Sequence, residues 1–155
     1  ARGPMGEHWS MAGIDEGDSP SVRPQPGPDD DSQGYWQHLI DGDLALQRCS
    51  SCSRWQFPAL ERCRYCNGEL RYEAVSGSGS IHTFIVQHHK VAPGFEQERP
   101  YVIALVTPDE APEARVPARI IGCSPRDVTI GARVTAELVE HPGGSYRVAV
   151  FRLAR

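Results

Sequence analysis

Four of the five cysteines in the sequence form two Cys-x-x-Cys pairs separated by ten residues. Each pair presents two sulfur atoms on one tight turn, a knuckle, and two knuckles folded against each other place four thiolates in a tetrahedron. This spacing predicts a zinc site; a four-cysteine iron site and two disulfides are the alternatives, and the lack of a secretory leader disfavours disulfides. Since four thiolates leave no open coordination position, the zinc is expected to be structural. The predicted ligands are Cys49, Cys52, Cys63 and Cys66.

The remaining reactive side chains form no catalytic pattern. Cys123 lies outside any ligand spacing and is expected to be a small buried apolar residue. His82 and His88 share strand parity, and isolated strand histidines are expected to be exposed or hydrogen-bonded. The sequence contains no nucleophile elbow, no phosphate-binding glycine loop and no His-Glu-x-x-His motif. An enzyme that uses His88 or His89 as a base is therefore the least favoured class of function.

Composition and charge narrow the class of protein. A chain of 155 residues forms one ordinary domain or two small modules, and 39% hydrophobic residues make a packed core feasible. No apolar run approaches the ~18 residues of a membrane span, so we expect a cytoplasmic protein. Residues 1–46 carry nine acidic residues against two arginines, whereas residues 47–155 have an excess of three positive charges. The acidity therefore belongs to the N-terminal segment.

The composition divides the chain into four segments. Residues 1–28 are rich in Gly, Pro and Ser without periodicity, which predicts a disordered linker or tag. Residues 29–46 are predicted to form an N-terminal helical segment, in which Asp29–Ser32 offers N-cap side chains, an apolar stripe follows and Asp41–Asp43 ends the helix. Residues 47–75 form the predicted zinc ribbon, which is too small to build a core without metal. Residues 76–155 form the second module.

From Leu70 onward the pattern is one of short strands separated by Gly and Pro turns. Ser124–Asp127 interrupts it with the residues of one capped helical turn. The first strand closes the ribbon, and the other five suit a small Greek-key barrel of the OB type, with a sandwich as the alternative. The predicted strands are Leu70–Val75, Ser80–His89, Pro100–Thr107, Arg115–Ile121, Arg133–Glu140 and Ser145–Leu153.

In combination these segments resemble the acyl-CoA-associated zinc-ribbon/OB-fold family, long catalogued as a domain of unknown function. The resemblance covers about residues 29–155. It implies a mainly β fold with a short N-terminal helix, a rubredoxin-like zinc ribbon and a five-stranded OB barrel. One departure is the stretch Pro108–Pro117, which is longer and richer in Pro and Ala than the usual family turn. The resemblance is carried by Tyr35-Trp36, Leu44–Cys52, Phe57-Pro58, Cys63–Cys66, Val75–Ile81, Pro93–Phe95, Pro100–Val106 and Val128–Val134.

The resemblance implies a partner rather than an independent enzyme. Family members are similar to accessory subunits or appended domains of thiolase-superfamily proteins, including lipid-transfer-protein-like thiolases and aldolases, and of MaoC-like hydratases. Some form the C-terminal domain of a hydratase subunit in bacterial steroid side-chain degradation, where the domain binds an aldolase that cleaves a steroid-CoA adduct. The Pro-rich run before Asp29 resembles that interdomain junction, so a MaoC-like hydratase domain in cis is a further expected partner.

A CoA thioester, bound by this chain alone or shared with the partner, is the expected ligand. Its phosphates, adenine and pantetheine arm need guanidinium groups, an aromatic face and a groove. The alternative function is single-stranded nucleic-acid binding, which needs a basic track with stacking aromatic residues. Four thiolates with Zn²⁺ add two negative charges, which leaves too small a positive excess for such a track. The candidate ligand-binding residues, each of which could equally be ordinary surface or core, are Arg62, Arg64, Phe84, His88, Phe95, Arg99 and Tyr101.

Overall fold

The computed structural model describes residues 23–89 and 93–154, so most of the predicted linker lies outside the described residues. One helix, α1 (Gln33–Asp41), precedes eight strands. No helix among the described residues has the length and apolar character needed to cross a membrane. The strands are β1 (Ala45–Cys49), β2 (Trp55–Gln56), β3 (Leu70–Ala74), β4 (Ser78–Gln87), β5 (Tyr101–Pro108), β6 (Val116–Ile120), β7 (Arg133–Glu140) and β8 (Arg147–Leu153).

Local contacts define the turn before helix α1 and the end of the helix. The Ser32 amide donates to Asp29 Oδ1 at 2.8 Å, and the Asp29 amide donates to Ser32 Oγ at 3.1 Å. The helix ends at Gly42, whose φ of 101° is the left-handed conformation that glycine adopts most readily. Leu39 is fully buried in the barrel core, and Trp36 packs against the same cluster. The predicted apolar stripe therefore attaches the helix to the body of the protein.

The zinc ribbon is a three-stranded antiparallel sheet in the order β2-β1-β3. Strand β1 begins at Ala45, within the N-terminal segment 29–46 but after the Asp41–Asp43 end that was predicted for its helix. Ala45, Leu46 and Gln47 are all buried, because both faces of β1 are covered. A strand buried on both faces lacks the alternation of apolar and polar residues that identifies half-buried strands. This explains why the sequence pattern did not reveal β1.

The second module is a closed five-stranded barrel in the order β4-β5-β6-β8-β7, which confirms the predicted OB fold. Strands β6 and β8 pair in parallel at Arg119↔Val150 and Ile120↔Phe151, whereas all other neighbours are antiparallel. The predicted helical turn is present at Pro125–Asp127, and both hydrogen bonds of its capping box are formed. The core is built from inward-facing side chains, including Ile81, Val102, Ala104, Val106, Ile120, Val134 and Phe151.

Strand β4 is shifted by two residues from the predicted Ser80–His89 and occupies Ser78–Gln87. Ser78 and Gly79 look like turn residues in the sequence, but Gly79 pairs with both Pro108 and Val134 across the two neighbouring strands. At its other end the strand stops at Gln87, so His88 lies outside it and is exposed. A register shift between Ile81 and Thr83 also breaks the simple parity that relates His82 to His88.

Gly79 is a position where a side chain would collide with the backbone of a neighbouring strand. A Cβ atom there would lie 2.6 Å from the Thr107 carbonyl oxygen and 3.0 Å from Val106 Cγ1. Because the first of these is backbone in a paired strand, we expect Gly79→Ala to lower the free energy of unfolding by about 1–3 kcal/mol. Urea denaturation measures this loss. Gly27→Ala is the matched control, since no atom lies within 4 Å of its Cβ position; equal midpoints for the two variants would contradict the prediction.

The loop between β5 and β6 joins the barrel to the zinc ribbon. Ala111 and Ala114 in this loop are fully buried and pack with Leu46 and Trp55 of the ribbon and Val116 of β6 in a second apolar cluster. This loop lies within the Pro- and Ala-rich stretch Pro108–Pro117 that departs from the family pattern. The extra length of the turn is therefore used to pack the two modules against each other.

Two polar contacts fix the start of the same loop. The Glu110 carboxylate accepts the Ser76 amide at 3.0 Å, at the junction between β3 and β4. Asp109 Oδ1 accepts from Arg133 of β7 at 2.7 Å. The Arg133 guanidinium lowers the pKa of the Asp109 carboxyl through this hydrogen bond. The start of the loop is thus held by the segment that leads into β4 and by the first residue of β7.

Candidate metal centre

The four predicted ligands converge at one end of the ribbon. Their Sγ atoms all lie within 4.8 Å of one another. The Sγ–Sγ distance is 3.5 Å between Cys49 and Cys66 and 3.7 Å between Cys52 and Cys63. The first knuckle follows β1 and the second precedes β3, so the ribbon sheet brings together sulfur atoms that lie far apart in the sequence.

These distances fit a bound metal ion. Zn–S bonds of ~2.3 Å in a tetrahedron separate the sulfur atoms by about 3.8 Å, whereas a disulfide requires about 2.05 Å. The observed separations of 3.5 and 3.7 Å fit the tetrahedron and exclude disulfides between these pairs. The four predicted cysteines are therefore arranged to bind a metal within a zinc-ribbon domain, and a full set of protein ligands is typical of structural zinc.

The two knuckles have the same backbone geometry. The carbonyl of Cys49 accepts the Ser53 amide at 2.9 Å, and the carbonyl of Cys63 accepts the Asn67 amide at 2.8 Å. Ser53 and Asn67 have φ of 61° and 60°, a left-handed conformation in which Asn is enriched. In the sequence, Asn67-Gly68 directly after the second Cys-x-x-Cys pair is a signal for this turn that our sequence analysis did not use.

Backbone hydrogen bonds and neighbouring sulfur atoms act in opposite directions on the thiols. Amide donation from Cys52 and Ser51 outweighs burial and lowers the pKa of Cys49 to about 6. At Cys66 the Gly68 amide favours the thiolate, but the Cys49 and Cys52 sulfur atoms and burial oppose it and raise the pKa to about 12. Four thiolates therefore cannot accumulate here without a compensating cation, and metal binding is expected to release protons.

Two buried glutamines hold the second knuckle against the ribbon sheet. Gln47 Nε2 donates to the Leu60 carbonyl, and Gln47 Oε1 accepts the Leu60 amide, both at 2.9 Å. Gln56 Nε2 donates to Gln47 Oε1 at 3.3 Å, while Gln56 Oε1 accepts the Arg64 amide at 3.1 Å. Since Arg64 follows Cys63 directly, this amide network fixes the position of a metal ligand from the neighbouring strands.

We expect Gln56→Leu to weaken zinc binding by roughly tenfold, the lower end of the effect of removing a group that orients a metal ligand. The substitution keeps a side chain of similar size but removes the amide group, which leaves the Arg64 backbone amide without its acceptor. Competition with a chromophoric zinc chelator measures the affinity. Gln37→Leu on the exposed face of α1 is the control, since Gln37 bonds only Asp41 among the contacts described. An unchanged affinity for Gln56→Leu would show that the network has no role at the site.

The seven candidate ligand-binding residues do not meet in one place. Phe95 and Tyr101 have ring centroids 5.8 Å apart, with Arg99 in the same loop. Phe84 packs against the barrel core, and His88 is exposed beyond the end of β4. The remaining two, Arg62 and Arg64, are exposed on the ribbon.

Two sets of arginine–aromatic contacts lie close to these candidate residues and were not predicted from the sequence. On the ribbon, the Arg54 guanidinium lies 4.6 Å from the centroid of the Tyr65 ring, which is 43% exposed. On the barrel, Arg119 lies 5.6 Å from the centroid of Phe95 and 5.1 Å from that of Tyr101. These contacts link residues from separate strands and loops, and no sequence spacing indicates them.

Comparison with known proteins assigns the chain to a family. The family described as "ChsH2, rubredoxin-like zinc ribbon domain" matches residues 36–73, and that described as "ChsH2, C-terminal OB-fold domain" matches residues 72–139. A "DUF35 domain-containing scaffold protein" of Methanocaldococcus jannaschii is 37% identical over 105 residues, which cover 65% of this chain and 72% of that protein. The chain belongs to the DUF35 family. The resemblance inferred from the sequence is thereby confirmed.

Two further relatives of this DUF35 chain are much longer proteins. A "probable enoyl-CoA hydratase alpha subunit" of Thermomonospora curvata is 30% identical over 122 residues, 77% of this chain and 37% of that protein. A "3-oxo-4,17-pregnadiene-20-carboxyl-CoA hydratase alpha subunit" of Mycobacterium tuberculosis is 26% identical over 136 residues, 88% of this chain and 42% of that protein. The DUF35 chain thus spans only about two fifths of the length of these hydratase subunits.

Solved structures support the same fold. A chain of a structure described as "Ltp2-ChsH2(DUF35) aldolase" is matched over its full length and over 84% of this DUF35 chain, with a TM-score of 0.76 and 28% identity. A DUF35 protein of unknown function from Sulfolobus solfataricus is matched with a TM-score of 0.56 at 16% identity, which supports the fold alone.

Proposed function

We propose that this chain is an accessory subunit of a thiolase-superfamily aldolase that acts on acyl-CoA substrates. The observation that carries the proposal is the match to the Ltp2-ChsH2(DUF35) aldolase, in which a whole chain of that structure corresponds to 84% of this one. The name of that structure places a DUF35 chain in an aldolase. The partner proposed here is a lipid-transfer-protein-like aldolase or thiolase.

The reactive groups of the chain agree with an accessory role. The four clustered cysteine sulfur atoms are used as metal ligands, which leaves them without a catalytic position. Burial and the Asp127 charge raise the pKa of Cys123, so this half-buried residue remains a thiol rather than a reactive thiolate. The catalytic groups of the complex are therefore assigned to the partner subunit.

We further propose a steroid-CoA substrate that undergoes retro-aldol cleavage of its side chain. Support comes from the printed name of the M. tuberculosis relative, a hydratase subunit for a pregnadiene carboxyl-CoA. The same relative is more than twice as long as the matched region, which supports a hydratase domain as a further partner, in cis or as a separate chain. We place the complex in the cytoplasm, where thiolates remain reduced.

Two groups of residues are candidate contacts for the CoA moiety. On the ribbon, exposed Arg62 and Arg64 lie within three residues of Tyr65, whose ring stacks with Arg54, so the same segment offers guanidinium groups for phosphates and a ring for adenine. On the barrel, His88 and the loop with Phe95, Arg99 and Tyr101 form the second group. Phe84 packs into the core and is proposed only to support that end of β4.

The test is co-expression with lipid-transfer-protein-like aldolases and thiolases, followed by a retro-aldol assay on steroid-CoA substrates. A stoichiometric complex is expected, with cleavage that is lost when this chain is omitted and no turnover by this chain alone. Omission of the partner is the matched control. The proposal is wrong if no thiolase-like protein binds while the zinc-loaded chain binds single-stranded DNA or RNA with a steep salt dependence.

A further inference from the structure

The second knuckle contains a residue pair that is chemically unstable outside a folded turn. Asn67 is the only asparagine of the chain, and Gly68 follows it directly. An asparagine side-chain amide is open to attack by the backbone nitrogen of the next residue, and glycine, which has no side chain, hinders this attack least. Asn67 is exposed, so water reaches its side chain. The pair is therefore a candidate site of deamidation.

The conformation of Asn67 in the folded knuckle prevents this reaction. Its φ of 60° lies in the left-handed region, where ψ is about +30 to +60°. At such a ψ the Gly68 nitrogen and Asn67 Cβ lie almost opposite each other about the Cα–C bond. Attack on Cγ, which is bonded to Cβ, requires the nitrogen and Cβ on the same side. The reaction therefore needs a rotation about the Cα–C bond of Asn67.

Two hydrogen bonds to one residue oppose this rotation. The Asn67 amide donates to the Cys63 carbonyl at 2.8 Å, and the Cys63 amide donates to the Gly68 carbonyl at 3.0 Å. Rotation about the Asn67 Cα–C bond moves Gly68 relative to Cys63, so at least one of these bonds must break. Cys63 is 3% exposed and is one of the four metal ligands, so a bound metal fixes the residue that restrains Asn67. Loss of the metal removes this restraint, because so small a ribbon depends on metal for its fold.

The surroundings of Gly68 do not accommodate the product of deamidation. A Cβ atom on Gly68 would lie 2.8 Å from Ser51 Oγ and 3.0 Å from Cys49 Sγ, so the first knuckle is in close contact with this position. Isoaspartate at residue 67 would add one carbon atom to the main chain between Cys66 and Gly68. The longer link would displace Gly68 from the Cys63 amide, and the new carboxylate would repel the neighbouring thiolates.

We propose that Asn67 is a deamidation site that is protected while the ribbon holds its metal, reacts when the metal is lost, and thereby makes the loss permanent. The first knuckle lacks this site, because Ser53 occupies the same position with a φ of 61° and serine has no side-chain amide. The modification is thus specific to the second knuckle. It concerns the lifetime of the metal site and goes beyond the proposed accessory function.

The reaction needs only water. In the first step the Gly68 nitrogen bonds to Asn67 Cγ, the bond between Cγ and the side-chain nitrogen breaks, and ammonia leaves with the Gly68 amide proton. Water then opens the cyclic imide at one of its two carbonyls. Opening at the backbone carbonyl gives isoaspartate, and opening at Cγ gives aspartate. Nothing is oxidised or reduced.

Mass spectrometry of the full chain during incubation in a mildly alkaline, reducing buffer tests the protection. One sample is zinc-loaded, and a chelator removes the metal from the other. Because the chain has one asparagine, the mass increase from amide to acid reports on Asn67, and peptide mapping separates isoaspartate from aspartate. Deamidation should be at least about tenfold faster without metal, since the folded knuckle must otherwise open first. Equal rates in the two samples overturn the proposal.

Returning zinc to the aged, metal-free samples tests the permanence of the loss. The isoaspartate form of the wild type should bind zinc at least about tenfold more weakly than fresh protein, as when a group that orients a ligand is removed. Asn67→Ser, which copies the first knuckle, is the matched control and should recover its fresh affinity after the same treatment. Asn67→Gly is a second control, since glycine adopts a positive φ readily. Full affinity in the isoaspartate form, or an equal loss in both controls, overturns the proposal.

Discussion

Replacement of Cys63 by Ser is expected to unfold the ribbon and to remove stoichiometric zinc. Cys63 is 3% exposed and supplies one of four sulfur ligands, and a buried serine hydroxyl cannot replace a thiolate. Structural zinc contributes on the order of 10 kcal/mol to small ribbons, so the loss exceeds what this segment recovers by packing. Metal analysis should fall from one equivalent to almost none, and amides of residues 47–75 should lose protection from hydrogen exchange.

The control for this experiment is Cys123→Ser. Cys123 lies in the barrel near the Ser124 turn, outside the cysteine cluster, so its variant should keep one equivalent of zinc and a protected ribbon. Full zinc content in Cys63→Ser would contradict the four-cysteine site. Analysis of the same samples for iron decides the remaining choice of metal, since iron and zinc share this ligand set.

Truncation of Trp55 should produce the second large effect, on the packing between ribbon and barrel. Trp55 is 9% exposed and packs in the cluster with Leu46, Ala111 and Ala114. Truncation of a buried tryptophan to alanine costs about 3–5 kcal/mol, so Trp55→Ala should lower the urea midpoint strongly while zinc remains bound. Hydrogen exchange should accelerate most in the β5–β6 loop.

Tyr65→Ala is the matched control for the loss of an aromatic ring. Tyr65 is 43% exposed and stacks only with Arg54 among its described aromatic contacts, so its loss should stay within about 0.5 kcal/mol. If Trp55→Ala is no more destabilising than Tyr65→Ala, the second cluster does not hold the modules together.

The zinc ligands and the barrel could be predicted because their signals are local. Cys-x-x-Cys spacing fixes two ligands on one turn. In the barrel strands, buried residues alternate with more exposed ones: on β5, Val102, Ala104 and Val106 are buried and the residues between them are less so. The capped turn at Ser124–Asp127 is equally local. Each of these features needs only neighbouring residues to be recognised.

The rest depends on contacts between distant segments. Strand β1 is covered on both faces. One face packs against the β5–β6 loop, which lies more than sixty residues later in the sequence. The Gln47–Gln56 network is visible only once the second knuckle is folded against β1 and β2. The candidate ligand residues share only a chemical type suited to CoA. The sequence therefore does not indicate that the arginines lie on the ribbon while the aromatic residues lie on the barrel.

The short parallel pairing of β6 and β8 determines where the barrel is expected to open locally. Two residue pairs and the Ile121 amide bond to the Phe151 carbonyl, at 2.8 Å, join these strands, whereas β4–β5 and β7–β8 pair along most of their lengths. Transient opening should therefore begin with the separation of β6 from β8. It should expose the Ile121 amide to hydrogen exchange before the amides of the longer strand pairs. Arg119 and Val150 are paired across these two strands, so such an opening would separate them.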